Sequence, residues 1–210
     1  MKRFIAAMLT ICVLFCTMTS LAQTDKGVVR QGEGWEITKE YSWKSYGDYK
    51  YAFVLKNTSN YNARISVNVV FYDGKDNIVG VSSRSEYGCE SGYETYWGFS
   101  NDIEFSRVDI RVTMEKENRY EDGGQSSIKL TANKVGDRKI ILIAENIGKE
   151  AVKFVQYDIL YLKNGKVVST EWGYLVDKDN EIKPGAMEMR EETGYEDFSE
   201  FQVYIHGTID

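Results

Sequence analysis

The chain has 210 residues, with 26 basic and 32 acidic side chains and a formal net charge of −6. An acidic chain with no lysine- or arginine-rich stripe is a poor match for a phosphate backbone, so nucleic acid is not an expected partner. One histidine and three cysteines leave too few ligands for an ordinary zinc site or a histidine-centred triad.

Residues 1–22 read as a secretory signal peptide. Lys2 and Arg3 precede a short apolar run from Phe4 to Cys16, and Ser20 and Ala22 supply the two small residues that cleavage before Gln23 requires. The run is too short for a transmembrane helix, and no later segment resembles a span. Cleavage leaves 24 basic residues against 32 acidic ones, a formal charge of −8. It also removes Cys12 and Cys16. Cys89 then stands alone, so an internal disulfide is ruled out and the core must rest on apolar packing. The expected location is secreted or periplasmic.

Residues 23–32 read as a flexible leader. Trp35 to Lys39 alternates apolar and polar residues, as a half-buried first strand does. Tyr41 to Tyr49 is an aromatic-rich hairpin or loop with Gly47-Asp48 as its turn signal. Tyr51 to Leu55 is the second strand. A long strand follows, with Ile65, Val67, Val69 and Phe71 on one face. Asp73 to Asn77 is its turn, and Ile78 to Ser82 returns from it. After a glycine-rich link come strands at Tyr93 to Trp97 and Val108 to Val112.

The order then repeats. Gly47-Asp48 and Asn57 recur as Gly136-Asp137 and Asn146, 89 residues later. Trp35, Gly92 and Phe105 recur as Ile128, Gly185 and Phe198, 93 residues later. The second long strand runs from Val152 to Leu162, and its inward set should be Val155, Tyr157, Ile159 and Tyr161. That parity needs an even offset, so either a loop differs by one residue or a bulge absorbs it. Short strands, frequent turn signals and no helix-period stretch predict an all-β chain of two tandem immunoglobulin/fibronectin-like β-sandwiches. The first spans 33–116 and the second 127–210, joined by a polar linker at 117–126. A single large sandwich or barrel is the alternative.

The chain resembles a known group at Asn57-Thr58-Ser59 before Val69 to Asp73, and at Asn146-Ile147-Gly148 before Ile159-Leu160-Tyr161, Asn164-Gly165 and Pro184-Gly185. These segments are similar to the small secreted bacterial domains called FxLYD-like, and the likeness covers both halves. The first copy lacks the Pro-Gly pair, and Leu162 replaces the Asp that should follow the second tyrosine. The resemblance implies an extracellular or periplasmic binding or spacer role without a catalytic set.

Site chemistry is sparse. His206 has no partner in the sequence pattern and reads as an end-of-strand residue. Cys89 lies beside Glu90, which disfavours a thiolate. The carboxylate runs Glu115–Glu121 and Glu188–Glu192 alternate with basic residues and read as solvated faces. The turns Asp73–Asn77 and Asp177–Glu181 carry oxygen ligands without the spacing of a calcium loop. The expectation is therefore no enzyme, no metal and no cofactor. Aromatics are the most suggestive feature, because a small sandwich cannot bury so many rings. Trp43, Tyr46 and Trp97 are the candidate binding face on the first domain. The expected function is a secreted binding or spacer protein of the cell envelope, with an envelope glycan or protein as partner. A self-associating structural protein, forming homo-oligomers, and a small hydrolase with an unrecognised carboxylate pair are the alternatives.

Overall fold

The computed structural model describes residues 29–117, 123–176 and 181–209, and its regular structure there is entirely β. The strands of the first half are β1 (Arg30–Gly32), β2 (Trp35–Ser45), β3 (Asp48–Asn57), β4 (Ala63–Tyr72), β5 (Ile78–Cys89), β6 (Glu94–Asn101) and β7 (Arg107–Lys116). Those of the second half are β8 (Ile128–Val135), β9 (Lys139–Asn146), β10 (Val152–Lys163), β11 (Lys166–Tyr174), β12 (Glu181–Ile182), β13 (Met187–Thr193) and β14 (Glu200–Thr208). The aromatic stretch expected as a loop from Tyr41 continues β2 to Ser45. A two-residue turn at Tyr46-Gly47 closes that hairpin, both residues at positive φ (52° and 94°). Asn164-Gly165 does the same between β10 and β11 (53° and 72°). Paired positive φ values match the right-handed strand twist and favour Gly and Asn, as at Asn164-Gly165, and Tyr46 takes the same conformation without being one of these residues.

Each half builds two sheets, and every strand pairing among the described residues stays within its half. The first half has sheets β1-β2-β3-β6 and β5-β4-β7, and the second has β13-β9-β8 and β11-β10-β14, with β12 against the start of β10. Phe53, Leu55 and Trp97 meet Ile65, Val67, Val69 and Phe71 across the first pair of sheets. Ile140, Leu142 and Ala144 meet Val155, Tyr157, Ile159 and Tyr161 across the second. A third core joins the halves: Tyr41, Ala52, Val54 and Tyr96 pack on Leu160, Leu162, Val167 and Tyr204. The layers therefore stack in the order β5-β4-β7, β1-β2-β3-β6, β11-β10-β14, β13-β9-β8. β3 and β10 are buried on both faces, and each fully buried aliphatic side chain there contributes about 1.5–3 kcal/mol.

The two halves share a hydrogen-bond pattern around one asparagine each. Asn57 and Asn146 are both fully buried. Asn57 Nδ2 donates to the carbonyls of Tyr61 (2.9 Å) and Cys89 (2.9 Å), and its Oδ1 accepts from Ser59 N (2.9 Å). Asn146 Nδ2 donates to Glu150 O (2.7 Å) and Ile182 O (2.6 Å), and its Oδ1 accepts from Gly148 N (2.9 Å). One side chain thus satisfies three backbone groups from two segments in each copy, the turn that follows it and a distant strand. The missing residue of the parity argument is a bulge in β10. Its register against β14 shifts between Lys153 and Gln156, with Phe154 at φ 50°. Val152 corresponds to Ala63, and Val155 to Ile65, so one extra residue is absorbed there and the inward set of β10 is restored.

Part of the expected leader is corrected. Arg30–Gly32 pair with β2, and Arg30 Nε sits 2.6 Å from Glu40 Oε1, so these residues are tied down by a ladder and an ion pair. Residues 1–28, which hold the expected signal peptide and the rest of the leader, lie outside the described residues. So do 118–122 of the linker and 177–180 of the second acidic turn. The described end of the linker is packed. Gly123, Gly124 and Gln125 are buried, and Gln125 bridges the halves by accepting from Glu90 N (3.0 Å) and donating to Ile205 O (2.8 Å). Among the described residues, no helix is long and apolar enough to cross a membrane.

Candidate functional site

The three aromatic residues singled out from the sequence do not share a face. Trp97 is fully buried, its ring stacked on Phe53 at 6.2 Å, and its Nε1 donates to Thr95 Oγ1 (2.9 Å). The expectation that Trp97 offers an exposed ring is therefore corrected. Its position on β6 points into the first core, while Tyr96 beside it points to the other half. Trp43 is partly buried against the third core. Tyr46 is 83% exposed at the hairpin tip, with its edge on Tyr195 at 5.9 Å.

A different set of side chains converges between the halves. On β10, Gln156, Asp158, Leu160 and Leu162 face away from the second core. The first half covers the two leucines. The two polar residues lie further along the same face, each flanked in register by a residue on either side. Asp158 stands between Trp172 on β11 and Tyr204 on β14, and Gln156 stands between Tyr174 and His206. Directly paired side chains on one sheet face have Cβ atoms about 4.5–5.5 Å apart, so these form two contiguous rows.

The β14 end of those rows is closed by Arg84 and Glu86 of β5 and by Thr95 and Tyr96 of β6, around a cavity of about 10 Å³. That is room for about one water. Arg84 Nε lies 2.5 Å from Glu86 Oε1, and His206 Nε2 lies 3.5 Å from Glu86 Oε2. Gln156 Nε2 donates to Asp158 Oδ2 at 3.3 Å, and the rings of Tyr96 and Tyr204 stack at 6.5 Å. Burial pushes the Asp158 carboxyl up to about 6. Arg84 and Gln156 pull it down, and Glu86 adds to the rise. Burial also lowers the His206 pKa, against the pull of Glu86. Strongly perturbed groups at a junction between packed units mark a candidate site.

The β11 end of the rows is open. Trp172 is 61% exposed and Tyr174 44%, and their rings meet edge to face at 6.3 Å and 80°. Gly173 between them faces the second core, where an added Cβ would run into the Tyr157 ring, so the strand lies close against that core. The result is a corner of two rings beside a carboxyl and an amide. Such a surface can stack on a flat or C–H-rich group and hydrogen-bond its polar edge. Among the described residues, no group of three or more His, Cys, Asp or Glu is placed to hold a metal ion. Asp73, of the first acidic turn, accepts from Lys75 N, Asn77 N and Asn77 Nδ2, which holds its carboxyl below the usual range. Cys89 is buried and its thiol is pushed up by that burial.

Arg84, Glu86, Gln156 and Asp158 were not singled out by sequence reasoning, and His206 was read as an end-of-strand residue without a partner. Gln156 and Asp158 read as the solvent face of a strand. The available signal was that the same face also carries Leu160 and Leu162.

No family model matches the chain, and no curated protein matches it. Among solved structures, red sea bream transglutaminase is similar over 85% of this chain and 30% of its own length, at 6% identity and a TM-score of 0.28. Likeness at that level carries no argument about fold or activity.

Proposed function

We propose that this is a secreted, non-catalytic recognition or spacer protein of the bacterial cell envelope, built of two tandem immunoglobulin-like, FxLYD-like sandwiches. The observation that carries this reading is the exposed Trp172–Tyr174 pair, set in register beside Asp158 and Gln156. Exposed rings beside oriented polar groups are the usual makings of a binding surface, and rings bury large area at low conformational cost. The recognition surface moves from the first half, where Trp43, Tyr46 and Trp97 were expected to form it, to the junction with the second. The same cleft gives the hydrolase alternative less support. Glu86 and Asp158 line one cavity, but Glu86 is held by Arg84 and His206, and the cavity accepts about one water.

The test is binding of the mature chain, from Gln23 onward, to envelope polysaccharides, peptidoglycan and a solubilised envelope extract. Binding by the wild type should fall about tenfold or more in a Trp172→Ala, Tyr174→Ala variant and stay unchanged in Tyr46→Ala. Equal binding by all three would remove the site. No binding to any fraction would remove the recognition reading.

A further inference from the structure

The two halves do not meet symmetrically. The first half contributes the outward face of its β2-β3-β6 sheet. The second contributes the outward face of β11-β10-β14, which by the duplication corresponds to β5-β4-β7 of the first half. Different faces of one fold are in contact, so the junction is heterologous, or head to tail. Such a contact does not close on itself. It leaves one unused copy of each face at opposite ends of the stack.

Both unused faces keep apolar residues at most of the positions that make the third core, with Asn133 and Arg111 standing where Tyr41 and Tyr204 do. On the second half, Ile141, Ile143 and Met189 correspond to the buried Ala52, Val54 and Tyr96. Met189 is 69% exposed there, and Met187 beside it is exposed as well. On the first half, Val70 and Tyr72 correspond to Leu160 and Leu162. Their cross-strand neighbours Val81 and Ile78 are exposed, Val81 at 69%. Large apolar side chains at matched positions on otherwise polar sheet faces mark contact surfaces rather than solvated ones.

We propose that these two faces bind each other between molecules, so that β13-β9-β8 of one copy packs on β5-β4-β7 of the next and the chain grows head to tail. The occupant is a second copy of this chain, because the internal junction already shows how these two kinds of face fit together. The inference is independent of the cleft at Trp172, which lies on neither face.

The test is sedimentation of the mature chain across a concentration series, with Met189→Glu and Val81→Glu variants alone and mixed. Both sites are exposed, so both variants should keep the wild-type circular dichroism and melting point. The wild-type average mass should rise with concentration and show no plateau at the dimer. Each variant alone should stay monomeric. Their equimolar mixture should form dimers and nothing larger, because one intact face of each kind remains. A wild type that is monomeric up to roughly 1 mM, the weak end of measurable association, would overturn the proposal. So would a plateau at the dimer, which means a symmetric contact, or a mixture that stays monomeric.

Discussion

Asp158 and His206 lie in neighbouring rows of one small junction, and their charges act on stability in opposite directions. The Asp158 carboxyl is raised to about 6, so its contribution to stability is fully present below the unfolded value near 3.8 and is lost as pH rises through about 6. The His206 imidazole is lowered, so its contribution is present above the unfolded value near 6.5 and is lost as pH falls below it. Arg84 and Glu86 face both groups and partly compensate each other. Across the mildly acidic range the two slopes offset, and the wild-type profile should be shallow. Asp158→Asn should raise the melting point more at pH 8 than at pH 4.5, by a free energy on the order of 1–3 kcal/mol. His206→Gln should do the reverse, with its larger gain at pH 4.5. Thermal melts at the two pH values check both, and parallel shifts at both pH values would remove this account. None of this was legible beforehand. A lone histidine and an aspartate on an alternating strand look solvated until the strand's other face acquires a cover. Asn57 and Asn146 were legible as a repeated letter, though not as the centres of two matching hydrogen-bond sets.

At the scale of the element, an offset of one residue before the inward set of β10 was anticipated, to be taken up by either a loop or a bulge, because parity cannot be violated cheaply, and the structure places it in a bulge. A one-residue slip moves a whole apolar set to the wrong face. The position of the extra residue could not be read, since Lys153 and Phe154 carry no glycine or turn signal. Phe154 takes a left-handed conformation that costs a bulky residue about 1–2 kcal/mol. The other copy goes from Ala63 to Ile65 with a single residue between, so deleting Phe154 should be tolerated. The expected melting point lies within a few degrees of wild type, about 1 kcal/mol at this size. Deleting Asn68 from β4 should abolish folding, because it turns one end of the Ile65–Phe71 set outward. Circular dichroism and melting of the two deletion variants make the comparison, and equal damage in both would count against the bulge as the absorber of the offset. Most turns and most strands followed from sequence at this scale, β1 and β12 excepted. The reach of β2, β5 and β7 did not, because polar residues such as Ser82 to Glu86 continue a ladder on backbone bonds alone.

For the whole molecule, the decisive feature is the third core. Two continuous apolar runs, Tyr51 to Leu55 and Ile159 to Leu162, are what a strand buried on both faces looks like, and a two-residue period describes only half of each. The partner of each second face is set by packing between segments over a hundred residues apart, which no local pattern encodes. Leu160 is fully buried in that core. Leu160→Asp places an unpaired carboxylate among Ala52, Val54 and Tyr96 and should separate the halves without dissolving the sheets inside each. Calorimetry should then resolve two transitions in place of one, and small-angle scattering should report a larger radius of gyration. A single lowered transition with the wild-type radius would mean that the halves unfold as one unit.

The molecule's only histidine stands at that junction, held 3.5 Å from a carboxylate of the other half. The imidazole region of its proton spectrum therefore carries one side chain's signals, and that side chain belongs to neither outer surface. Opening the junction would return its titration to that of a free imidazole. The imidazole signals of the purified chain thus become an unlabelled gauge of whether the halves are closed, readable through a pH titration or a self-association experiment.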